Sequence, residues 1–324
     1  MSGKDTGALA GLGLEVVRVT EAAAYAAAKL AGRGDQKAAD QVAVDAMRNA
    51  LNCLAMKGEI VIGEGERDEA PMLFIGEEVG TGDGPGVDIA LDPLEGTTLT
   101  AKGATNALAV IAFAEKGGLL NAPDTYMEKI AIGGGYPAGI VDLDNDPADN
   151  IRALAKAKGV DPKDITACIL DRPRHLEMIK KVRETGARVN LISDGDVAGV
   201  IYTTDKATGV DIYMGTGGAP EGVLAAAALR AIGGQMQGRL VFRNDDERGR
   251  ASRIGITDFD KKYELNEMAR SDVMFVASGV TDGSLVNGVK VKDGFVEIET
   301  LLLVSESKEM RWVKGRHPVS TFEG

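Results

Sequence analysis

The sequence predicts an α/β fold, an α+β layered sandwich of helix and sheet, and three observations predict it. Strand-length apolar runs alternate with helix-length amphipathic ones from about residue 160 to 232. Glycine is abundant, at 42 of 324 residues, while aromatic residues make up only 4%, which suits an α/β enzyme better than a module built on aromatic stacking. Apolar residues reach 44%, enough for a substantial core. At roughly 100–200 residues per domain the length fits two domains. Gly159 and Asp161-Pro162, ahead of the regular alternation, set the boundary near 160. The expected domains are 1–160 and 161–324, with the final strands assignable to either half.

Residues 14–31 form the first predicted helix, ended by Gly32-Arg33-Gly34. Asp35 caps a second, 36–55. Short strands follow at 59–62 and 87–91, and 107–114 is an apolar run of strand length. Pro147 opens a helix to Lys158. The regular part then runs strand 166–170, helix 173–184, strand 187–192, helical turn 196–202, strand 210–214 and helix 222–232. The charged segment 244–260 reads as a surface excursion, and 295–304 with 310–314 as a closing hairpin.

Acidic residues outnumber basic ones 49 to 37, for a formal net charge of −12. There is no basic block of the kind nucleic-acid binders carry. No segment approaches the ~18 uninterrupted apolar residues of a membrane helix. The start, with Lys4 and Asp5, is too short and mixed for a signal peptide. Cys53 and Cys168 lie far apart, so no disulfide framework is expected. A cytoplasmic protein without nucleic-acid or membrane partners follows. Were its substrate an anion, carboxylate-held divalent cations or a few arginines would have to reverse the local sign.

At 100° per residue, Gln41, Asp45, Arg48 and Asn52 share a polar face of the second helix. Asp40 falls on the opposite stripe with Val44, Met47, Leu51 and Leu54. A buried carboxylate needs a cation or donor; equally, a first-turn acid can reach water at the positive end of the helix. Two further strands end in acids: Gly63-Glu64-Gly65-Glu66 after 59–62, and Asp92-Pro93-Leu94-Glu95-Gly96-Thr97 after 87–91. Hard oxygen ligands suit Mg²⁺ or Mn²⁺, and two ions could clamp a transferring phosphoryl group. Each segment by itself is also an ordinary turn composition.

The run 92–97 resembles the D-P-[IL]-[DE]-G-[ST] signature of the lithium-sensitive, metal-dependent phosphatases. The motifs at 32–35, 61–73, 120–124, 126–129, 172–175, 193–196 and 217–222 are similar, in order, to those of class II (GlpX-type) fructose-1,6-bisphosphatases. The resemblance extends from residue 14 to Glu299-Thr300-Leu301-Leu302. It implies a two-domain sugar-phosphatase fold of alternating helix and sheet layers. It also implies hydrolysis of fructose 1,6-bisphosphate to fructose 6-phosphate and phosphate by a metal-activated water, without a covalent phosphoenzyme, in gluconeogenesis and sugar-phosphate metabolism.

The implied cofactors are two or more Mn²⁺ or Mg²⁺ ions, with Asp40 and Glu64 on one and Asp92, Glu95 and Glu221 on a second. Thr97 is implied to orient the water, acting with Asp40 and Glu64; Thr98 follows it, so that assignment rests on the motif. Substrate contacts are implied at Glu95, Gly96, Thr97, Tyr126, Arg172, Pro173, Arg174, Asp194, Gly195, Asp196 and Gly218. These positions make physical sense. Arg172 and Arg174 follow a strand at its carboxyl end, where open α/β sheets bind ligands, and a guanidinium is a fork for phosphate; surface salt bridges are the plain alternative. Gly217-Gly218 precede a helix start, and Glu221 also suits that dipole end. Asp194 and Asp196 can accept sugar hydroxyls or cap a helix.

The partner is then a small-molecule sugar bisphosphate, and a homo-oligomer of closed symmetry is the default for such an enzyme. Some members of the family also cleave sedoheptulose 1,7-bisphosphate. That dual activity, an inositol-phosphate-type monoesterase and a non-catalytic sugar-phosphate-binding regulator are the alternatives. Covalent rivals fare worse. Cys168 and Arg174 match a C-x5-R spacing, but Ile169-Leu170 continues a strand. Asp142-Leu143-Asp144 mimics D-x-D but runs into Asn145-Asp146-Pro147, a loop. Only two histidines, His175 and His317, are present, and no P-loop motif occurs.

Overall fold

The structure, a computed structural model, describes residues 9, 12–65 and 72–323. Lys4, Asp5, the strand-end acid Glu66 and the rest of the motif stretch 67–71 lie outside those residues. The chain divides into two compact units: Met1–Asn121 with Ala269–Gly324, and Ala122–Met268. The division expected near 160 falls inside the second unit, whereas the closing strands belong to the first.

In chain order the first unit opens with α1 (Glu15–Ala28) and α2 (Gln36–Leu51), then β1 (Lys57–Ile62), β2 (Glu78–Val79), β3 (Gly86–Glu95), α3 (Thr97–Lys102) and β4 (Leu108–Glu115). Asp35 accepts a hydrogen bond from Ala38 N at 3.0 Å, the cap expected of it. The second unit holds β5 (Tyr126–Ile132), α4 (Pro147–Lys158), β6 (Thr166–Leu170), α5 (Leu176–Glu184), β7 (Arg188–Ile192), α6 (Asp196–Ile201), β8 (Ile212–Gly218), α7 (Ala219–Ile232), β9 (Gln235–Val241), α8 (Asp245–Arg253), β10 (Lys262–Glu264) and α9 (Leu265–Met268). The chain then returns to the first unit through β11 (Val273–Gly279), β12 (Lys290–Lys292), β13 (Phe295–Val304) and β14 (Glu309–Pro318).

The first sheet runs β12-β13-β11-β4-β3-β1-β2, with β14 also pairing β13. β1 and β3 are parallel, so their carboxyl ends lie side by side. β11, buried at every residue, fills the gap between β4 and β13. The helices α1 and α2 pack on this sheet through Val16, Val19, Ala23, Ala43, Met47 and Leu51. A buried hydroxyl chain joins α1 to β11 and β13: Thr20 Oγ1, Ser278 Oγ and Thr300 Oγ1 stand 2.7 Å apart in succession. Each satisfies a neighbour that would otherwise be stranded in the core.

The second sheet runs β10-β9-β5-β8-β6-β7. β6, β7 and β8 are parallel, and β5 runs antiparallel to β8. Alternate residues serve the two faces: Ala167, Ile169, Ile212 and Met214 pack with Ile151 and Leu154 of α4 and Ile179 and Val182 of α5, while α6 and α7 pack beside the same strands. Helices on both faces explain why these strands read as continuous apolar runs. Helices and mixed sheets in layers make this an α/β fold. Among the described residues no helix is long and apolar enough to cross a membrane.

Candidate active site

In the first unit Glu64 follows the carboxyl end of β1, and Asp92 and Glu95 lie at the carboxyl end of β3. Beyond β1 the chain turns at Gly63, where a side chain would strike the Leu73 carbonyl. Glu64, half-buried, is held by its backbone N–H donating to Leu73 O at 2.9 Å. The β3 end is bulged between Asp92 and Glu95 against β4. Asp92 Oδ1 accepts from Leu94 N at 3.0 Å, closing a turn around Pro93, and Glu95 is only 3% exposed. Gly96 then takes a left-handed φ of 88°, the kink that starts α3 and presents Thr97 and Thr98 half-exposed.

Asp40 comes from α2. Gly32 N donates to Thr100 O at 2.8 Å and Gly34 N to Ala101 O at 2.9 Å, stapling the start of α2 alongside α3. On the stripe expected to be apolar, Val44, Met47, Leu51 and Leu54 are buried and Asp40 half-buried. Burial raises the Asp40 carboxyl above the ordinary range. The donor set has the chemistry for a hard divalent cation: carboxylates, one of them partly kept from water. Among the described residues, no three acidic, histidine or cysteine side chains are gathered closely enough to enclose an ion.

In the second unit the carboxyl ends of β6, β7 and β8 share one edge with the start of β5, through the register Tyr126↔Gly218. Arg172 donates to Ser193 O at 2.5 Å and lies 3.7 Å from Asp194. Arg174 donates twice to Thr216 O, at 2.9 and 2.7 Å, and its guanidinium lies 4.9 Å from the Tyr126 ring centre. Pro173 starts the 3-10 turn between them. Behind them His175, 1% exposed, bridges two strands: Thr216 N–H donates to Nε2 at 2.8 Å, so Nδ1 carries the proton and donates to Leu170 O at 2.7 Å. Burial lowers its pKa, and the two arginine charges act in the same direction.

Glu221 opens α7 behind Gly218, where a methyl group would occupy the space of the Glu221 carboxylate. Burial first, then the Asp196 charge, pushes Glu221 up to about 7, against the pull of Lys129. Lys129, 1% exposed, is a residue to which the sequence assigned no role. It pairs with Asp196 and donates to Gly218 O at 2.8 Å. Asp196 Oδ2 also accepts from Tyr213 Oη at 3.3 Å, so Asp196 is committed within the unit, while Asp194 beside left-handed Gly195 stays half-exposed.

Tyr126 with Arg174, Arg172 with Asp194, and Gly218 with Glu221 are thus brought together. Asp40, Glu64, Asp92, Glu95, Gly96 and Thr97 belong to the first unit. The covalent rivals lose further ground. The Cys168 thiol, buried in β6, is pushed up to about 12, far from a nucleophile. Asp142 and Asp144 pair with Lys262 and Arg239. The two histidines sit in different units, His317 against Glu21 at 3.1 Å.

The protein-family model for the bacterial fructose-1,6-bisphosphatase, glpX-encoded, matches residues 10–317. The chain belongs to that family, and with it to the phosphatases among hydrolases. It is 45% identical over 331 aligned positions to a D-fructose 1,6-bisphosphatase class 2/sedoheptulose 1,7-bisphosphatase of Synechococcus sp. (strain JA-2-3B'a(2-13)), covering 94% of this chain and 95% of that protein. It is 47% identical over 305 positions to the protein of the same name from Synechococcus sp. (strain CC9311), covering 89% and 90%.

Proposed function

We propose that this chain hydrolyses fructose 1,6-bisphosphate to fructose 6-phosphate and phosphate. The observation that carries the proposal is the bulged β3 end, where Asp92, Glu95, Gly96 and Thr97 follow one another into α3 at the carboxyl end of a strand parallel to β1. Asp40 and Glu64 would hold one divalent cation, Mg²⁺ or Mn²⁺, and Asp92, Glu95 and Glu221 a second. Cations held there lower the pKa of water and neutralise phosphoryl oxygens. Thr97, which opens α3 after left-handed Gly96, positions the attacking water by its hydroxyl. The edge holding Tyr126, Arg172, Arg174, Asp194 and Gly218 binds the sugar phosphate, with guanidiniums as anion forks. Cytoplasmic location and a homo-oligomeric state belong to the same proposal, supported by the absence of a cysteine framework and by the prevalence of closed-symmetry oligomers.

A second reading, cleavage of sedoheptulose 1,7-bisphosphate as well, is favoured by the names of the Synechococcus relatives. Phosphate release from fructose 1,6-bisphosphate, sedoheptulose 1,7-bisphosphate, inositol 1-phosphate and fructose 6-phosphate tests both readings. Turnover confined to bisphosphates supports the proposal; preference for either monophosphate contradicts it.

A further inference from the structure

A second arginine shares the Tyr126 ring with Arg174, and nothing in the sequence motifs drew attention to it. The Arg243 guanidinium lies 4.9 Å from the ring centre, the same distance as that of Arg174. The sheet brings it there. Tyr126 pairs with Val241 on β9 and with Gly218 on β8, so the ends of β8 and β9 flank the start of β5 and the chain leaving β9 emerges beside Tyr126.

Arg243 is also held in place. Glu247, 1% exposed, accepts from Arg243 N at 2.7 Å and from Arg243 Nε at 2.5 Å. Thr125 Oγ1 donates to the same carboxylate at 2.8 Å, and Asn244 caps the turn by accepting from Glu247 N at 2.9 Å. One edge of the guanidinium is anchored to a buried acid, while the Arg243 side chain stays 53% exposed. Two cations held on one ring repel each other, and Glu247 compensates only one; Asp124 is the other acid whose charge reaches Arg243. A dianion between the guanidiniums relieves that repulsion.

We propose that Arg243, positioned by Glu247, forms with Arg174 and Tyr126 the subsite for the phosphate that is not cleaved. This rests on the bisphosphatase reading above. The two phosphates of such a substrate need different treatment. The one that leaves requires cations that activate water, which carboxylates hold. The other must be gripped without being activated, and guanidiniums do that.

The test uses the full-length protein with Mg²⁺ and fructose 6-phosphate, a ligand that retains only the uncleaved phosphate, read by calorimetry. Arg243→Gln is expected to weaken its binding by about tenfold or more, the loss of a charge-assisted contact, and Arg243→Lys to recover part of it. In turnover of fructose 1,6-bisphosphate the Gln variant, assayed below its melting temperature, raises KM with little change in kcat. Fructose 6-phosphate binding within twofold of wild type in the Gln variant, or no binding by the wild type, overturns the subsite. The two claims separate cleanly. Normal bisphosphate turnover with unaltered binding in the variant leaves the bisphosphatase reading standing and this subsite fallen; weakened binding in a protein that releases no phosphate does the reverse.

Discussion

Gly218 has no room for a side chain, because the Glu221 carboxylate fills the position a Cβ would take. Gly218→Ala is expected to displace Glu221 and lower kcat/KM by about 100-fold, the scale of an ångström of misplacement; steady-state kinetics beside a thermal melt checks this, since a fold defect would move the melt as well. Lys129 is the second residue with a sharp expectation. Lys129→Met leaves Asp196 buried without its cation and should cost about 3–5 kcal/mol, measurable by urea denaturation. A loss under 1 kcal/mol would mean that the pair carries no stability. Asp40 was legible in the sequence because helical spacing put a carboxylate on an apolar stripe. Lys129 was not, since its partner lies 67 residues away and only the packed sheet brings them together. Arg243 escaped for the same reason: its place beside Tyr126 is a matter of strand register.

Among the elements, β6 was legible to the residue and α4 nearly so, and α7 began only three residues earlier than expected. Strands flanked by turn-forming residues and buried on both faces announce themselves as short apolar runs. β8 extends further than its apolar run because Gly215, Thr216, Gly217 and Gly218 pair with β5 through backbone alone. β5 itself was hidden by Glu128 and Lys129, whose charges disguise a central strand. β11 is seven consecutive residues without charge, a strand-length run that lies outside the regular alternation of strand and helix. The His175 bridge between β6 and β8 gives the element-scale prediction. Its pKa is lowered from 6.5, so the folded state resists a proton that the unfolded chain accepts. The stability it contributes is full above 6.5 and declines as pH falls through 6.5 toward the lower folded value. His175→Gln should therefore melt lower than wild type at pH 8, yet lose less of its midpoint between pH 8 and 5.5. Parallel pH dependences for the two proteins would exclude His175 as the titrating group.

For the whole molecule, the two-unit division was only partly legible. A layered α/β chain of two parts followed from length and alternation, but the return of residues 269–324 to the first unit leaves no shift in composition to mark it. The outgoing and returning segments pair as Leu119↔Ala269, with Arg270 N donating to Gly118 O at 2.7 Å. Residues 122–268 expressed alone should unfold cooperatively. Residues 1–160 should not, because they lack β11 and β13, which complete the first sheet. The reverse result would restore a boundary near 160. Metal-dependent hydrolysis that draws on Glu221 is tested by phosphate release from fructose 1,6-bisphosphate with Mg²⁺ or Mn²⁺, against EDTA and against Glu221→Ala. Release is expected with metal, none with EDTA, and loss in the folded variant. Release that survives EDTA, or a fully active Glu221→Ala protein, would contradict it.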